Sequence, residues 1–147
     1  MNLRKNDPVA HTMEQFELAG FTYGAVIPKA WFDTHFDIPE PQTVADVQKS
    51  HILYASLMGD FRAKLLVTKK MALKTKSGVG QEVVHPSEQT EWAMTEVKNV
   101  ISTALEKAAD RIRYVDHGSL TGEERRENMD AQAKLSFFQR KSLRALK

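Results

Sequence analysis

The sequence contains no cysteine. Disulfides, thiolate metal sites and a cysteine nucleophile are therefore excluded, and a reducing compartment suits the chain. No apolar run approaches the ~18 residues that cross a bilayer as a helix. The basic start, Met1-Asn2-Leu3-Arg4-Lys5, has no apolar stretch behind it, so a secretory leader is not expected and the cytoplasm is. Histidine is sparse. His11, His35, His51, His85 and His117 form neither His-x-x-x-His nor His-Glu-x-x-His, the spacings that put two ligands on one helix face. Asp33-x-His35-x-Asp37 alternates three ligand types, but on a short helix they diverge, so no metal is assigned.

Catalytic patterns are missing as well. There is no Gly-x-Ser-x-Gly and no Ser-x-x-Lys. Gly78-Val79-Gly80 lacks both the third glycine of a dinucleotide loop and the Gly-Lys-Ser/Thr ending of a P-loop. Asp116-His117 beside Ser119 reads as a polar helix break, because adjacency in sequence is not the geometry of a triad. The expectation is a non-enzymatic protein without catalytic residues or cofactor.

What is present is charge in patches. The net charge is only +2, on 147 residues, too little to argue for nucleic acid by itself, so distribution matters more than the total. Arg62, Lys64, Lys69, Lys70, Lys74 and Lys76 follow one another with no acid between them. Lys134, Arg140, Lys141, Arg144 and Lys147 form a second basic group. Acids concentrate in Asp33 to Asp46, Glu82 to Glu96 and Glu123 to Asp130.

Periodicity and punctuation predict a mainly α chain with a small β-hairpin, an α+β class. Residues 1–10, with Pro8, are expected to be flexible. Thr12 with Gln15 suggests a capping box for a helix ending near Gly20, with Phe16 and Ala19 inward. Phe21 to Ile27 has strand propensity, weakened by Gly24. Pro28 opens a short helix, Lys29 to Phe36, carrying Trp31, Phe32 and Phe36 as core. Pro39 and Pro41 exclude helix from the connector that follows. Thr43 with Asp46 starts the next helix, expected to end between Leu66 and Met71, whose apolar positions run Val47, Tyr54, Met58, Phe61, Leu65 and Ala72 at close to helical spacing. Ile52, Leu53 and Leu57 add further apolar faces, predicting a centrally buried helix.

Met71 to Leu73 and Val83-Val84 then flank a Lys/Ser/Gly loop, the pattern of a hairpin whose glycines supply positive φ. Pro86-Ser87-Glu88 starts a long helix running to about Val115. Gly118 is the expected left-handed cap of the break behind it. Thr121-Gly122-Glu123-Glu124 is a capping box for a last helix with Met129, Ala133, Phe137 and Phe138 as apolar residues. These two helices are expected to pair antiparallel. The expected organisation is therefore 1–10 flexible, 11–86 a core with a basic hairpin, and 87–147 a long helical hairpin.

The run from Phe21 to Thr90 resembles small phage- or prophage-encoded proteins with a winged-helix-like core. The residues that carry the resemblance are Trp31, Phe32 and Phe36, the helix through Phe61 and Leu65, and Gly78-x-Gly80 leading into Val83-Val84-x-Pro86. It implies a winged-helix-like core, here followed by a long helical pair, in the cytoplasm of a bacterial host. It also implies a regulator that binds nucleic acid, DNA rather than RNA, or an inhibitor of a host protein. For nucleic acid the expected contacts are Arg62, Lys64, Lys69, Lys70, Lys74 and Lys76, with Gly78 and Gly80 shaping the tip. For a protein partner they are Phe137, Phe138, Arg140 and Lys141, with homodimerisation through the long helices as another use of the same pair. The chain lacks the Arg/Asn/Gln-rich helix that base readout favours.

Overall fold

A computed structural model describes residues 7–147 of the chain. They form α1 (Pro8–Ala19), β1 (Val26–Pro28), α2 (Lys29–His35), α3 (Val44–Lys69), β2 (Leu73–Lys76), β3 (Gly80–Val83), α4 (Pro86–Arg113) and α5 (Gly122–Ala145). This is a mostly helical α+β chain. It divides into two compact units, with the boundary between Gln89 and Thr90.

The first helix begins one turn earlier than the sequence suggests. Asp7 caps it by accepting the Ala10 N–H at 3.0 Å, and Pro8 occupies its first turn. A carboxylate on the positive helix end and a proline with no N–H to leave unsatisfied outweigh the Thr12–Gln15 pattern. Thr12 instead lies inside the helix, fully buried, its hydroxyl donating to the Pro8 carbonyl at 2.7 Å. Residues 7–10, expected to be flexible, thus belong to α1 and its cap; the remainder of that expected segment lies outside the described residues. Phe16 is buried as anticipated, whereas Ala19 is exposed. The predicted strand from Phe21 shrinks to Val26–Pro28, because Gly24 at φ 83° and an Ala25 N–H to Thr22 carbonyl turn occupy its first half.

β3 is the central strand of a three-stranded antiparallel sheet of order β1-β3-β2. Ile27 pairs with Gln81 and Pro28 with Gly80 on one side, and Leu73 pairs with Val83 and Lys74 with Glu82 on the other. Strand alternation sends Leu73, Thr75, Gln81 and Val83 to the helical side and Lys74, Lys76 and Glu82 away from it. The core of this unit gathers Phe16, Ile27, Phe32, Phe36, Met58, Phe61, Leu65, Leu73 and Val83. Phe61 is its hub, with Phe16, Phe32 and Phe36 rings 5.6–6.0 Å away in edge-on contact.

α3 opens with the anticipated Thr43–Asp46 capping box and ends at Lys70, left-handed at φ 58°. Its burial corrects the sequence reading. Met58, Phe61 and Leu65 form one buried stripe, while Ile52 and Val67 on other faces are 70% and 68% exposed. The rest of the unit covers one side of α3 only, so Ile52, Leu53 and Val67 stay in solvent while Leu57 packs against the core, and Ala72 lies beyond the helix end.

In the second unit, α4 and α5 run antiparallel. Ala109 to Arg113 lie opposite Gln132 to Gln139, and Ser102 to Glu106 lie opposite Ser136 to Leu143. The Asn128 side-chain amide donates to the Ile112 carbonyl at 3.2 Å. The Thr121–Glu124 capping box forms as read from sequence. Hydrogen bonding from the Thr121 backbone N–H, and then from its side chain, holds the Glu124 carboxyl below its ordinary range. Gly118 is not the left-handed cap expected. It sits in a 3-10 turn, His117–Ser119, whose geometry Asp116 sets by accepting from the Gly118 N–H and the Ser119 hydroxyl. Neither α4 nor α5 contains a buried residue.

Candidate functional site

The hairpin β2–β3 exists where the sequence places it, and its turn explains its glycines. Gly78 adopts φ +73° at the tip with open space around it. Gly80 has a different role. A Cβ there would stand 2.0 Å from the Ile27 carbonyl oxygen, so its bare backbone is what lets β1 lie against β3. Gly80 is thus part of the sheet rather than of an open loop.

The six predicted cations do not act alike. Arg62 turns inward from α3, and its guanidinium donates to the Thr75 hydroxyl and the Gln81 side-chain carbonyl. Gln81 is buried, and Tyr54 and Lys29 extend the same polar cluster, the Lys29 ammonium lying 4.4 Å over the Tyr54 ring. Burial, then the Asp33 carboxylate, raise the Tyr54 hydroxyl above its ordinary pKa. Arg62 therefore ties α3 to the sheet. Lys69 joins α3 to α1 through Glu17 at 2.8 Å, and Lys76 lies 4.0 Å from Glu82. Among the described residues Lys64, Lys70 and Lys74 enter no ion pair. The sequence signal missed here was the polar Thr75 and Gln81 at the strand positions that alternate with Leu73 and Val83 on the inner face, which marks a hydrogen-bonding partner there.

The other candidate residues cluster on α5. Phe137 and Phe138 are 51% and 59% exposed and meet edge-on, their ring centroids 6.2 Å apart. The Lys141 ammonium sits 5.6 Å from the centre of the Phe137 ring. Phe137, Arg140, Lys141 and Arg144 line a shallow recess of about 190 Å³. Arg140 also borders a groove of about 400 Å³ between α4 and α5, whose lining includes Leu105, Glu106 and Leu143. None of Arg140, Lys141 and Arg144 enters an ion pair among the described residues.

The residues weighed for chemistry are dispersed. Asp33 pairs with Lys29 at 2.7 Å, and the His35 ring lies 4.3 Å from that of Trp31. Burial, and then the neighbouring His11, lower the His35 pKa. Hydrogen bonds from the Ser119 hydroxyl and the Gly118 N–H hold Asp116 below the usual carboxylate range. No helix among the described residues is long and apolar enough to cross a membrane.

Comparison with protein-family models, with curated proteins and with solved structures finds no match.

Proposed function

We propose that the protein is a small, non-enzymatic, nucleic-acid-binding regulatory protein with a winged-helix-like N-terminal unit. The observation that carries the reading is the order of its elements. A helix, a strand, two helices and a hairpin follow one another, and the first strand pairs with the second arm of the hairpin. That order supports a winged-helix reading, on which β2–β3 is the wing, with Lys74 and Lys76 on its outer face.

The same geometry limits what such a domain reads. The outward side of α3 exposes Ala45, Ile52, Ser56, Gly59, Ala63 and Val67 together with Gln48, Lys49 and Asp60, and it carries no arginine or asparagine, Arg62 being turned toward the sheet. Base-edge readout favours several arginine, asparagine or glutamine side chains on one helix face, and Gln48 alone does not make such a face. The contact is therefore with phosphates, through Lys74 with Lys64, Lys70 and the loosely paired Lys76. About four such contacts give a log–log salt slope on duplex DNA of about −3.6. Fluorescence anisotropy across a salt series tests this. Lys74→Glu with Lys76→Glu weakens binding and leaves the melting temperature unchanged. No binding at low salt, or unchanged affinity in the variant, removes the wing from the function.

A second reading, an adaptor that binds a host protein through α4–α5, is favoured by one observation. Met94, Val97, Val100, Met129, Phe137, Phe138 and Leu143 are all exposed on a helical pair that buries none of its own residues. Exposed apolar surface of that extent marks interaction sites.

A further inference from the structure

We infer that the C-terminal half of α5 is a contact site for single-stranded nucleic acid, with Phe137 as a stacking platform and Arg140, Lys141 and Arg144 as phosphate contacts. The inference rests on the nucleic-acid reading above and assigns it a second surface.

Charge is the first reason. Residues 131–147 contain Lys134, Arg140, Lys141, Arg144 and Lys147 and no acid. Over the whole chain the two units differ in the same sense. Residues 1–89 hold ten Lys/Arg and ten Asp/Glu, whereas residues 90–147 hold eleven and nine. The N-terminal unit is neutral as a whole, so the wing supplies only a local field; the surplus positive charge belongs to the unit that contains α5. Lys134 is occupied by Asp130 at 2.6 Å. Among the described residues Arg140, Lys141 and Arg144 enter no ion pair, and Glu106 is the one carboxylate lining a groove that Arg140 borders.

Geometry is the second reason. Arg140, Lys141 and Arg144 follow Phe137 at i+3, i+4 and i+7, so all four share one side of the helix, with neighbouring positions about 5–6 Å apart. One aromatic residue and three cationic ones thus border the same recess. The Lys141 ammonium, 5.6 Å from its centre, and the Phe138 ring, centroid 6.2 Å away and edge-on, both constrain the Phe137 ring. An exposed, oriented aromatic ring among unpaired cations combines the two elements that hold single strands: a π-face for a base and charge for the backbone. A duplex keeps its base faces stacked internally and cannot use the ring. An acidic peptide would use the charges and leave Phe137 with nothing planar to cover.

The test is anisotropy of a labelled oligothymidylate across a salt series, with the same-length duplex and a polyglutamate peptide as competitors. Wild-type protein is expected to bind the single strand with a steep salt slope. Arg140→Glu with Arg144→Glu should weaken it and flatten the slope by about 1.4, at about 0.7 for each phosphate on a single strand. Phe137→Ala should weaken binding about tenfold, and Phe137→Trp should retain it, because stacking tolerates any large ring. Far-ultraviolet circular dichroism checks that α5 remains helical in each variant. Binding lost in Lys74→Glu/Lys76→Glu but untouched by the α5 variants overturns this site and leaves the wing reading standing. Equal competition by polyglutamate with no effect of Phe137→Ala overturns it in favour of an acidic protein partner. No binding to any nucleic acid overturns both.

Discussion

Gly80→Ala should be the most damaging single-methyl change in the N-terminal unit. The new Cβ would lie 2.0 Å from the Ile27 carbonyl oxygen and 2.9 Å from both the Ile27 carbonyl carbon and the Pro28 Cα. All three are backbone atoms of the paired strand, so no side chain can rotate away, and β1 must separate from β3. Ile27 is fully buried and is carried by β1. Exposing it forfeits about 2 kcal/mol, and the broken strand pairing adds on the order of 1 kcal/mol. A loss of about 3 kcal/mol corresponds to a melting temperature lower by about 12 °C for a unit of this size. Trp31 packs against Phe16, Phe21 and Phe32 and reports this unit, while Trp92 belongs to α4 beyond the unit boundary. Thermal unfolding followed by fluorescence in a Trp92→Phe background therefore isolates the relevant transition. Gly78→Ala is the control. Its φ of +73° is strained for alanine, but nothing lies within 4 Å of the new methyl, so about 1 kcal/mol is expected from the left-handed backbone alone. If the two variants melt together, the close approach of β1 to Gly80 is not what holds the sheet, and the reasoning fails.

The adaptor reading predicts that tagged protein retains a stoichiometric partner from nuclease-treated bacterial lysate. Phe137→Ser with Phe138→Ser should release it; retention by the variant, or none by the wild type, counts against that use of α5. The His35 imidazole predicts a pH effect of definite sign. Burial first, and His11 second, hold its folded pKa below the ordinary 6.5. Below that value the unfolded chain takes up a proton more readily than the folded one, so the stabilisation is complete above 6.5 and declines as pH falls through it toward the folded pKa. The melting temperature of the Trp31 transition should therefore drop on acidification. His35→Gln should flatten the dependence, and an unchanged slope would remove His35 as its source.

Much of the architecture is local and was legible as such. Thr43–Asp46 and Thr121–Glu124 form their capping boxes because the partners lie within one helical turn, where three-residue spacing alone sets the geometry. The hairpin turn is marked by Gly78, and the prolines at 39 and 41 exclude helix from the connector between α2 and α3. The start of α1 was misread because two overlapping local signals competed, and the Asp7–Pro8 pair is the stronger.

The tertiary structure decided what no spacing encodes. It joins β1 to the far arm of the hairpin across more than fifty residues, a pairing that depends on the bare backbone of Gly80 meeting Ile27. It turns Arg62 inward to satisfy Thr75 and Gln81, so a cation that looks like a phosphate contact in sequence serves as a strut. It also leaves one apolar face of α3 in water, since periodicity states which residues share a face but not whether another element covers it. The charge segregation of α5 was visible in the sequence as an acid-free run. That three of its cations share a recess with one exposed ring follows from the helix that places them, and among the described residues no carboxylate pairs with them.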